Sequence, residues 1–221
     1  MVRDGIYYSA GFLIASAIVI YLTNNAWLGL PLILTGMFCA WFFRDPERLI
    51  PAGPVAVSPA DGKVVAVIAE APGIHRVSIF LNIFDVHVNR APISGIITAV
   101  EYQKGLFLVA SRELASVQNE QNQVTIHGED TRVVFKQIAG LIARRIVFSR
   151  KPGDYVTAGE RVGMIKFGSR VDVIFGPEWR LEVKPGMRVR AGSTVLARRA
   201  GVSEPLAAKR IPVEDTVLCT T

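Results

Sequence analysis

KPGDYVTAGERV (residues 151–162) recurs 33 positions later as KPGMRVRAGSTV (184–195), with seven of the twelve residues identical. Each copy reads as a Pro-Gly turn, a short strand and a Gly turn. Seven identities argue against two unrelated turns, so the pattern predicts a duplicated β-unit.

The sequence before the repeat is also rich in β-branched runs separated by Gly and Pro, which predicts strands. These runs are VVAVIA (64–69), RVSIFL (76–81), GIITAVEY (95–102), QVTIHG (123–128) and RVVFKQIA (132–139). LIARRIVF (141–148) fits either a strand or a helix, and a helix is expected at 111–119. The repeat and SPADGKVVAV (58–67) resemble the half-motif of biotinyl/lipoyl domains, although no carrier lysine occurs in its usual context. We therefore predict a mainly β domain with barrel-sandwich character.

Two uncharged apolar segments, residues 6–22 and 26–43, precede this domain. An 18-residue helix spans about 27 Å, close to the thickness of a bilayer's hydrocarbon core. Thr23-Asn24-Asn25 between them is short and polar, as a turn requires. The pattern predicts a two-helix transmembrane hairpin over residues 1–45 and a second domain over 46–221, with a pair of buried core helices as the alternative.

Charge predicts how the hairpin is oriented. Arg3 precedes the first segment and Arg44 and Arg48 follow the second, whereas the turn has no positive charge. By the positive-inside rule, the β domain faces the cytoplasm from the cell membrane.

The whole chain is basic, with a net charge of +6 and an isoelectric point near 9.6. An anionic membrane surface is a natural partner for such a chain. No Lys/Arg block interleaved with aromatics and no zinc-finger spacing occurs, so we expect no nucleic-acid partner. Two cysteines, Cys39 and Cys219, do not form a disulfide framework.

Four segments, in order, carry a resemblance to a known family. FFRDPER (42–48), SPADGKV (58–64), FDVHVNRAPISG (84–95) and FGSRVDV (167–173) resemble the short bacterial and archaeal form of the phosphatidylserine decarboxylase proenzymes. LASVQNEQN (114–122) and QIAGLIARRIV (137–147) extend the likeness. The resemblance implies an autocatalytically processed lyase that converts phosphatidylserine in the membrane to phosphatidylethanolamine.

The resemblance also implies a covalent pyruvoyl cofactor, made when Ser169 attacks the carbonyl of Gly168 and the chain is cut between them. The products would be a β chain (1–168) and an α chain (169–221), and the pyruvoyl group would form a Schiff base with the substrate amine. His87 matches the family's base and Asp61 its orienting carboxylate, because an unactivated hydroxyl is a poor nucleophile. No metal is expected.

Some residues compete with this assignment or depart from the family pattern. Gly192-Ser193 is a second Gly-Ser pair, but Ser193 has the repeat position of Glu160 and so a structural explanation. His75 and His127 are interpreted as structural. Phe84 stands where longer members have a histidine, which leaves the group that protonates the product open, and Gln121 stands where the family pattern has Arg.

The phosphate and carboxylate of the substrate call for cationic anchors, and Arg90, Arg144, Arg145 and Arg170 are the candidates. Two other functions stay open from the sequence. One is a non-enzymatic membrane adaptor with a lipoyl-like β domain, and the other is a pyruvoyl enzyme for a soluble amino acid. A homo-oligomer is also compatible with the sequence.

Overall fold

Two apolar helices open the chain in the computed structural model, which describes residues 2–110, 114–141, 145–166 and 169–200. Helix α1 runs from Arg3 to Thr23 and α2 from Ala26 to Phe42. The chain reverses at Asn24, which has a left-handed φ of 48°, and the Asn25 side chain caps α2. The two helices and their turn lie where the apolar pattern predicts them.

The two helices differ in their ability to cross a membrane. Helix α1, with 21 residues, is long and apolar enough by length and composition, and 17% of its most apolar window is buried. Helix α2 has 17 residues, or about 26 Å, and contains Pro31. One apolar helix therefore indicates membrane association, while the span of α2 is shorter than the sequence predicts.

Fourteen strands and one short helix follow among the described residues. The first seven strands are β1 (Val55–Val57), β2 (Gly62–Ala71), β3 (Ile74–Leu81), β4 (Val88–Arg90), β5 (Gly95–Gln103), β6 (Gln121–Gly128) and β7 (Thr131–Ile138). The other seven are β8 (Arg145–Phe148), β9 (Tyr155–Val156), β10 (Arg161–Lys166), β11 (Ser169–Phe175), β12 (Trp179–Leu181), β13 (Arg188–Val189) and β14 (Val195–Arg199). Helix α3 is Ala115–Gln118.

The runs predicted as strands coincide with β2, β3, β5, β6 and β7. The ambiguous run at 141–148 contains β8, a strand, although residues 142–144 lie outside the described part. The helix expected at 111–119 is present as the single turn of α3, and residues 111–113 are outside the described part as well.

The strands form three antiparallel sheets. An eight-stranded sheet, in the order β13-β2-β3-β11-β7-β6-β5-β9, curls into a half-barrel. Two three-stranded sheets, β1-β14-β12 and β4-β10-β8, complete the domain. The mainly β prediction is confirmed. Apolar side chains from all three sheets, such as Ile79, Ile165 and Leu196, are fully buried in one core. Each contributes about 1.5–3 kcal/mol by leaving water.

The 33-residue repeat is a repeat of conformation. Its two short strands, β9 and β13, lie at opposite edges of the eight-stranded sheet. The first turn glycines, Gly153 and Gly186, both have φ of 94°. The second turn glycines, Gly159 and Gly192, have φ of 78° and 75°, a region in which other residues are strained.

The structure extends the repeat to segments that the sequence analysis did not pair. Residues 55–67 and 88–100 are also 33 positions apart, and only five of their thirteen residues are identical. Gly192 N donates to Ser58 O at 2.8 Å, and its counterpart Gly159 N donates to Ala91 O at 2.8 Å. The unit thus occurs twice, as the Asp61 copy (residues 55–67 and 184–195) and the Ser94 copy (88–100 and 151–162).

Candidate active site

Several strand ends at one side of the eight-stranded sheet bring the predicted site residues into one region. Ser169 of β11 pairs with Leu81 of β3, and Lys63 of β2 pairs with Phe80. Asp61 lies just before β2, so it is two strand spacings, about 10 Å, across the sheet from Ser169. His87 reaches the same region through β10, whose Ile165 N donates to His87 O at 3.3 Å.

Ser169 is the first described residue of β11 and is fully buried. Its Oγ has no hydrogen-bond partner among the described residues. A buried hydroxyl without a partner loses free energy relative to one in water, so burial of this hydroxyl does not stabilise the fold. Gly168, the predicted carbonyl donor, lies outside the described residues.

His87 is also fully buried, and both of its ring nitrogens lack a hydrogen-bond partner among the described residues. Its ring packs on Phe42 of α2 with ring centroids 4.4 Å apart. Burial lowers the pKa of His87 to about 4; Asp85 acts in the opposite direction but is outweighed, and Arg44 lowers the pKa further. The imidazole is therefore neutral at pH 7 and has a nitrogen lone pair available, and burial makes it a weaker base than an exposed imidazole.

The backbone limits how far apart His87 and Ser169 can be. His87 is bonded to Ile165, and four residue steps separate Ile165 from Ser169. Four extended steps span at most about 14 Å. The unpartnered hydroxyl and the unpartnered imidazole thus belong to one region of the molecule.

Asp61 is held by two other groups. Its Oδ2 accepts from Arg48 Nη2 at 2.7 Å and its Oδ1 accepts from Ala191 N at 2.7 Å. No hydrogen bond joins Asp61 to His87 among the described contacts, since His87 has no partner on either nitrogen. Gly62 follows Asp61 because any Cβ there would collide with the carbonyl oxygen of Phe80. Gly62 is the first residue of β2, so Asp61 lies directly before a strand.

The four predicted arginine anchors differ in what the structure leaves available. Arg170 is 1% exposed and donates to Asp172 at 2.6 Å and to Ser78 at 2.7 Å. Arg90 is buried and bonded to Asp45 at 3.0 Å. Arg145 is exposed at the start of β8, opposite Lys166, and Arg144 is outside the described residues. Exposure therefore favours Arg145 over Arg90 and Arg170 for contact with an anion.

The apolar helices reach this same region. Phe42 and Phe43 at the end of α2 form a buried cluster with Val86, Val88 and Met164. At the start of α1, Asp4 accepts a hydrogen bond from Lys166 Nζ at 2.6 Å. Lys166 lies three residues before Ser169 in the sequence. The ends of the helices thus form one wall of the candidate site.

A chain of buried amides lies beside His87, and no motif in the sequence predicts it. Gln137 Nε2 donates to Asn89 Oδ1 at 2.9 Å, and Asn122 Nδ2 donates to Gln137 Oε1 at 3.0 Å. Asn89 Nδ2 has no partner among the described residues. The signal available in the sequence was polar side chains within β-branched runs, which are costly to bury without partners.

The sequence analysis also missed the role of Arg48. Besides the resemblance and the positive charge that orients the hairpin, the FFRDPER segment forms ion pairs that hold the chain leaving α2 against the β domain. Asp45 pairs with Arg90 at 3.0 Å and Arg161 at 2.5 Å, and Arg48 pairs with Asp61 at 2.7 Å. Long-range ion pairs of this kind have no periodicity by which one sequence could reveal them.

The site combines a buried hydroxyl, a neutral imidazole and a dry environment. A neutral imidazole can take the proton of a serine hydroxyl, and exclusion of water strengthens the electrostatic interactions among the reacting groups. These are the requirements for nucleophilic attack by Ser169 on a neighbouring carbonyl.

The sequence matches the model of one protein family, described as phosphatidylserine decarboxylase, over residues 35–197. Those residues include Asp61, His87 and Ser169.

Curated relatives carry the same name. A phosphatidylserine decarboxylase proenzyme of Solibacter usitatus (strain Ellin6076) is 62% identical over 199 residues, which cover 90% of this chain and 97% of the relative. Proenzymes of that name from Saccharopolyspora erythraea and Syntrophus aciditrophicus (strain SB) are 45% and 42% identical, each over 203 residues. These matches cover 86% and 88% of this chain, and 86% and 95% of the respective relatives.

Proposed function

The chain belongs to the phosphatidylserine decarboxylase family, and from this membership we propose that it decarboxylates phosphatidylserine to phosphatidylethanolamine after cutting itself between Gly168 and Ser169. One observation of the structure supports the proposal above others. The Ser169 hydroxyl and both His87 nitrogens are buried in one region, and none of them has a hydrogen-bond partner in the part of the chain that the structure describes. Family membership also decides against the non-enzymatic adaptor.

We assign the self-cleavage to the chain's own groups. Ser169 Oγ gives its proton to His87 and attacks the Gly168 carbonyl carbon. The Gly168–Ser169 C–N bond then breaks as His87 passes that proton to the Ser169 nitrogen, which leaves an ester and a free amine and returns His87 to its neutral form. Loss of the Ser169 α-proton then breaks the Cβ–Oγ bond, giving a Gly168 carboxylate and dehydroalanine. Water converts the dehydroalanine to a pyruvoyl group and ammonia. The unpartnered Ser169 Oγ fits this use, because no hydrogen bond to a described residue must be broken first.

A pyruvoyl carbonyl supplies the electron sink that decarboxylation of an amino acid head group requires. For the carboxylate and phosphate of the substrate, Asn89 Nδ2 offers a donor that has no partner among the described residues, and Arg145 offers an exposed cation. Asp61 and Arg48 would orient the His87 side of the site through intervening groups. His87 remains our candidate for returning a proton to the substrate's α-carbon, since Phe84 cannot.

The two chains would stay together after cleavage because β11 lies inside the sheet. It pairs with β3 on one side and β7 on the other, and both belong to the segment 1–168. Arg170 and Asp172, just after the new end, form a buried network with Arg76 and Ser78. The α chain would therefore remain anchored from the first residue after its new terminus.

We further propose that residues 1–45 form the membrane part and 46–221 a barrel-sandwich domain on the cytoplasmic side. The apolar α1 and the flanking arginines support the attachment and the orientation. The attachment to a membrane favours a lipid over a soluble amino acid as the substrate.

The test is the covalent state of the purified protein. We expect two chains, of 168 and 221 − 168 = 53 residues, with the shorter one blocked to Edman degradation and labelled by a carbonyl reagent. Ser169→Ala should remain one 221-residue chain without activity on phosphatidylserine vesicles. Ser193→Ala is the matched control and should be cut normally. An uncut wild-type chain with full activity contradicts the pyruvoyl mechanism.

A further inference from the structure

Exposed apolar side chains concentrate in the loops at the Ser169 end of the sheet. Between 37% and 69% of each side chain is exposed for Ile83, Phe84, Leu106, Val109, Leu114 and Val117. Leu141, on a third loop, is 56% exposed. Contiguous apolar exposure of this kind marks a surface that another phase or molecule covers.

Strand register shows that these loops share one end of the sheet. Gln103 pairs with Gln121, and Gln121 pairs with Ile138. Ile138 pairs with Arg170, next to Ser169, which pairs with Leu81. The described loop residues 82–87, 104–110, 114–120 and 139–141 follow or precede strand ends in this row, so their apolar side chains lie at the same end of the sheet as the candidate site.

The apolar loops are continuous with the helices. Phe84 packs edge-on against Trp41 at the end of α2, with ring centroids 6.0 Å apart. Arg44 donates to Phe84 O at 2.6 Å and lies 4.2 Å from the centroid of the Trp41 ring. Aromatic and basic side chains at the end of an apolar helix are typical of the membrane–water interface. The loop 82–87 is therefore held at the depth where α2 ends.

The charge of this end matches a lipid surface. Lys104 and Arg145 are exposed beside the apolar loops, and Arg44 is half-buried between the loops and α2. Cations near an apolar surface favour anionic lipid head groups, whereas a soluble protein partner would have no reason to adjoin the end of a membrane helix.

We propose that Ile83, Phe84, Leu106, Val109, Leu114 and Val117 form an apolar rim that inserts into the head-group boundary of the bilayer that holds α1. The inference rests on the proposed membrane attachment of the helices. Insertion would bring the row of strand ends down to the interface, so a lipid head group could reach residue 169 while its acyl chains stay in the membrane.

The experiment measures depth in the full-length protein. Cys39 and Cys219 are replaced by alanine, and single cysteines carrying an environment-sensitive fluorophore are introduced as Phe84→Cys, Leu106→Cys or Val117→Cys. Ile74→Cys and Ile96→Cys are the matched controls, because both side chains are exposed apolar residues at the opposite strand ends. The proteins are reconstituted in phosphatidylcholine/phosphatidylserine vesicles.

Lipid-borne nitroxide should quench the rim labels at least about threefold more than the control labels, and aqueous iodide should quench in the reverse order. Equal iodide access at rim and control positions would overturn the proposal. Rim labels shielded from both quenchers, with shielding lost on dilution of the protein among the lipids, would assign the rim to a second copy of the chain and also overturn it.

Activity provides a separate measurement. Ile83→Ser/Phe84→Ser should raise the apparent KM for phosphatidylserine in vesicles about tenfold and leave turnover of a short-chain, monodisperse substrate unchanged. An unchanged KM for vesicles contradicts the rim. A protein whose rim labels insert but which releases no CO₂ would refute the proposed function and leave the rim intact, so the two failures are distinguishable.

Discussion

In the Asp61 copy and the Ser94 copy of the repeat, the side chain before the strand's first glycine makes the same contact. Asp61 Oδ1 accepts from Ala191 N at 2.7 Å, and Ser94 Oγ accepts from Ala158 N at 2.9 Å. Only Asp61 has a second side-chain oxygen, and that oxygen accepts a hydrogen bond from Arg48 Nη2. The bond to the backbone is common to both copies, so it accounts for a structural role in the repeat. The second carboxylate oxygen of Asp61 is not needed for that role.

The residue directly before the first strand of each copy also differs, and for the Ser94 copy that residue is His87. Its counterpart 33 residues earlier is Pro54, which has neither a proton to give nor a nitrogen to accept one. Ser169 lies outside both copies, on the strand between β3 and β7. The comparison indicates that duplication built the frame, and we propose that the few side chains without a counterpart supply the chemistry.

The largest effect expected from breaking this asymmetry is at His87. His87→Ala should slow self-cleavage by about 10³-fold or more, because the Ser169 hydroxyl loses its base. The measurement is the fraction of 53-residue chain over time on denaturing gels. His75→Ala and His127→Ala are the controls and should be cut at the wild-type rate. Normal cleavage in His87→Ala would remove His87 from the maturation step.

Asp61 and Ser94 can be compared directly. Asp61→Ala should slow self-cleavage by about 10²-fold, since the site loses the carboxylate that orients its proton transfer. Ser94→Ala removes the equivalent backbone contact and should lower the free energy of unfolding by about 1 kcal/mol without slowing cleavage. If the two variants cut equally slowly, the role of Asp61 is only that of the repeat. The Asp61→Ala/His87→Ala double variant should be no slower than His87→Ala.

The local sequence pattern predicts the positions of most long strands, because β-branched runs alternate with short turns along the chain. The runs that became β2 and β3 carry β-branched residues and are separated by Pro72-Gly73, and the turn glycines of the repeat have left-handed φ values. The pairing of residues 55–67 with 88–100 escaped notice because it depends on hydrogen bonds and not on identity. Sheet order likewise depends on long-range contacts that no local signal encodes.

The site is harder to predict for the same reason. Ser169, His87 and Asp61 were selected by resemblance, and only folding brings them to one end of the sheet. The burial of Arg90 and Arg170 could not be predicted from the sequence. A sequence gives the charge of an arginine, but it does not show which carboxylate pairs with that arginine and allows it to be buried. The contact of Phe42 with His87 joins two regions that composition treats as separate domains.

Acid should destabilise the folded protein through His87. Its pKa is about 4 in the folded state against 6.5 for the exposed ring, so between these values only the unfolded chain binds the proton. The neutral His87 ring contributes fully to the free energy of unfolding above pH 6.5. As the pH falls from 6.5 towards 4, the free energy of unfolding decreases by about 3 kcal/mol. Urea unfolding in detergent at pH 7 and pH 4.5 measures it.

The comparison is made between Ser169→Ala and Ser169→Ala/His87→Asn, so that both proteins remain uncut. The pKa values of Glu47 and Glu178 are lowered in the fold, so protonation of these carboxylates in acid also destabilises the protein. This loss is the same in both variants. The His87→Asn protein should therefore lose less stability on acidification. Equal losses would mean that His87 is not buried as a neutral ring.

The smallest expected effect is at Arg48, which acts through Asp61. Arg48→Gln leaves the Asp61 carboxylate, 13% exposed, without its cation, and self-cleavage should slow about tenfold. Arg48→Lys keeps the charge but not the forked guanidinium, so it should restore part of the rate. Arg198→Gln, which removes a solvent-exposed pair with Glu182, is the control and should have no effect.

Because Arg48 has no contact of its own with Ser169 among the described residues, Arg48→Gln should add nothing in the Asp61→Ala background. A further tenfold loss there would show that Arg48 acts independently of Asp61, and the asymmetry between the two copies would need another cause.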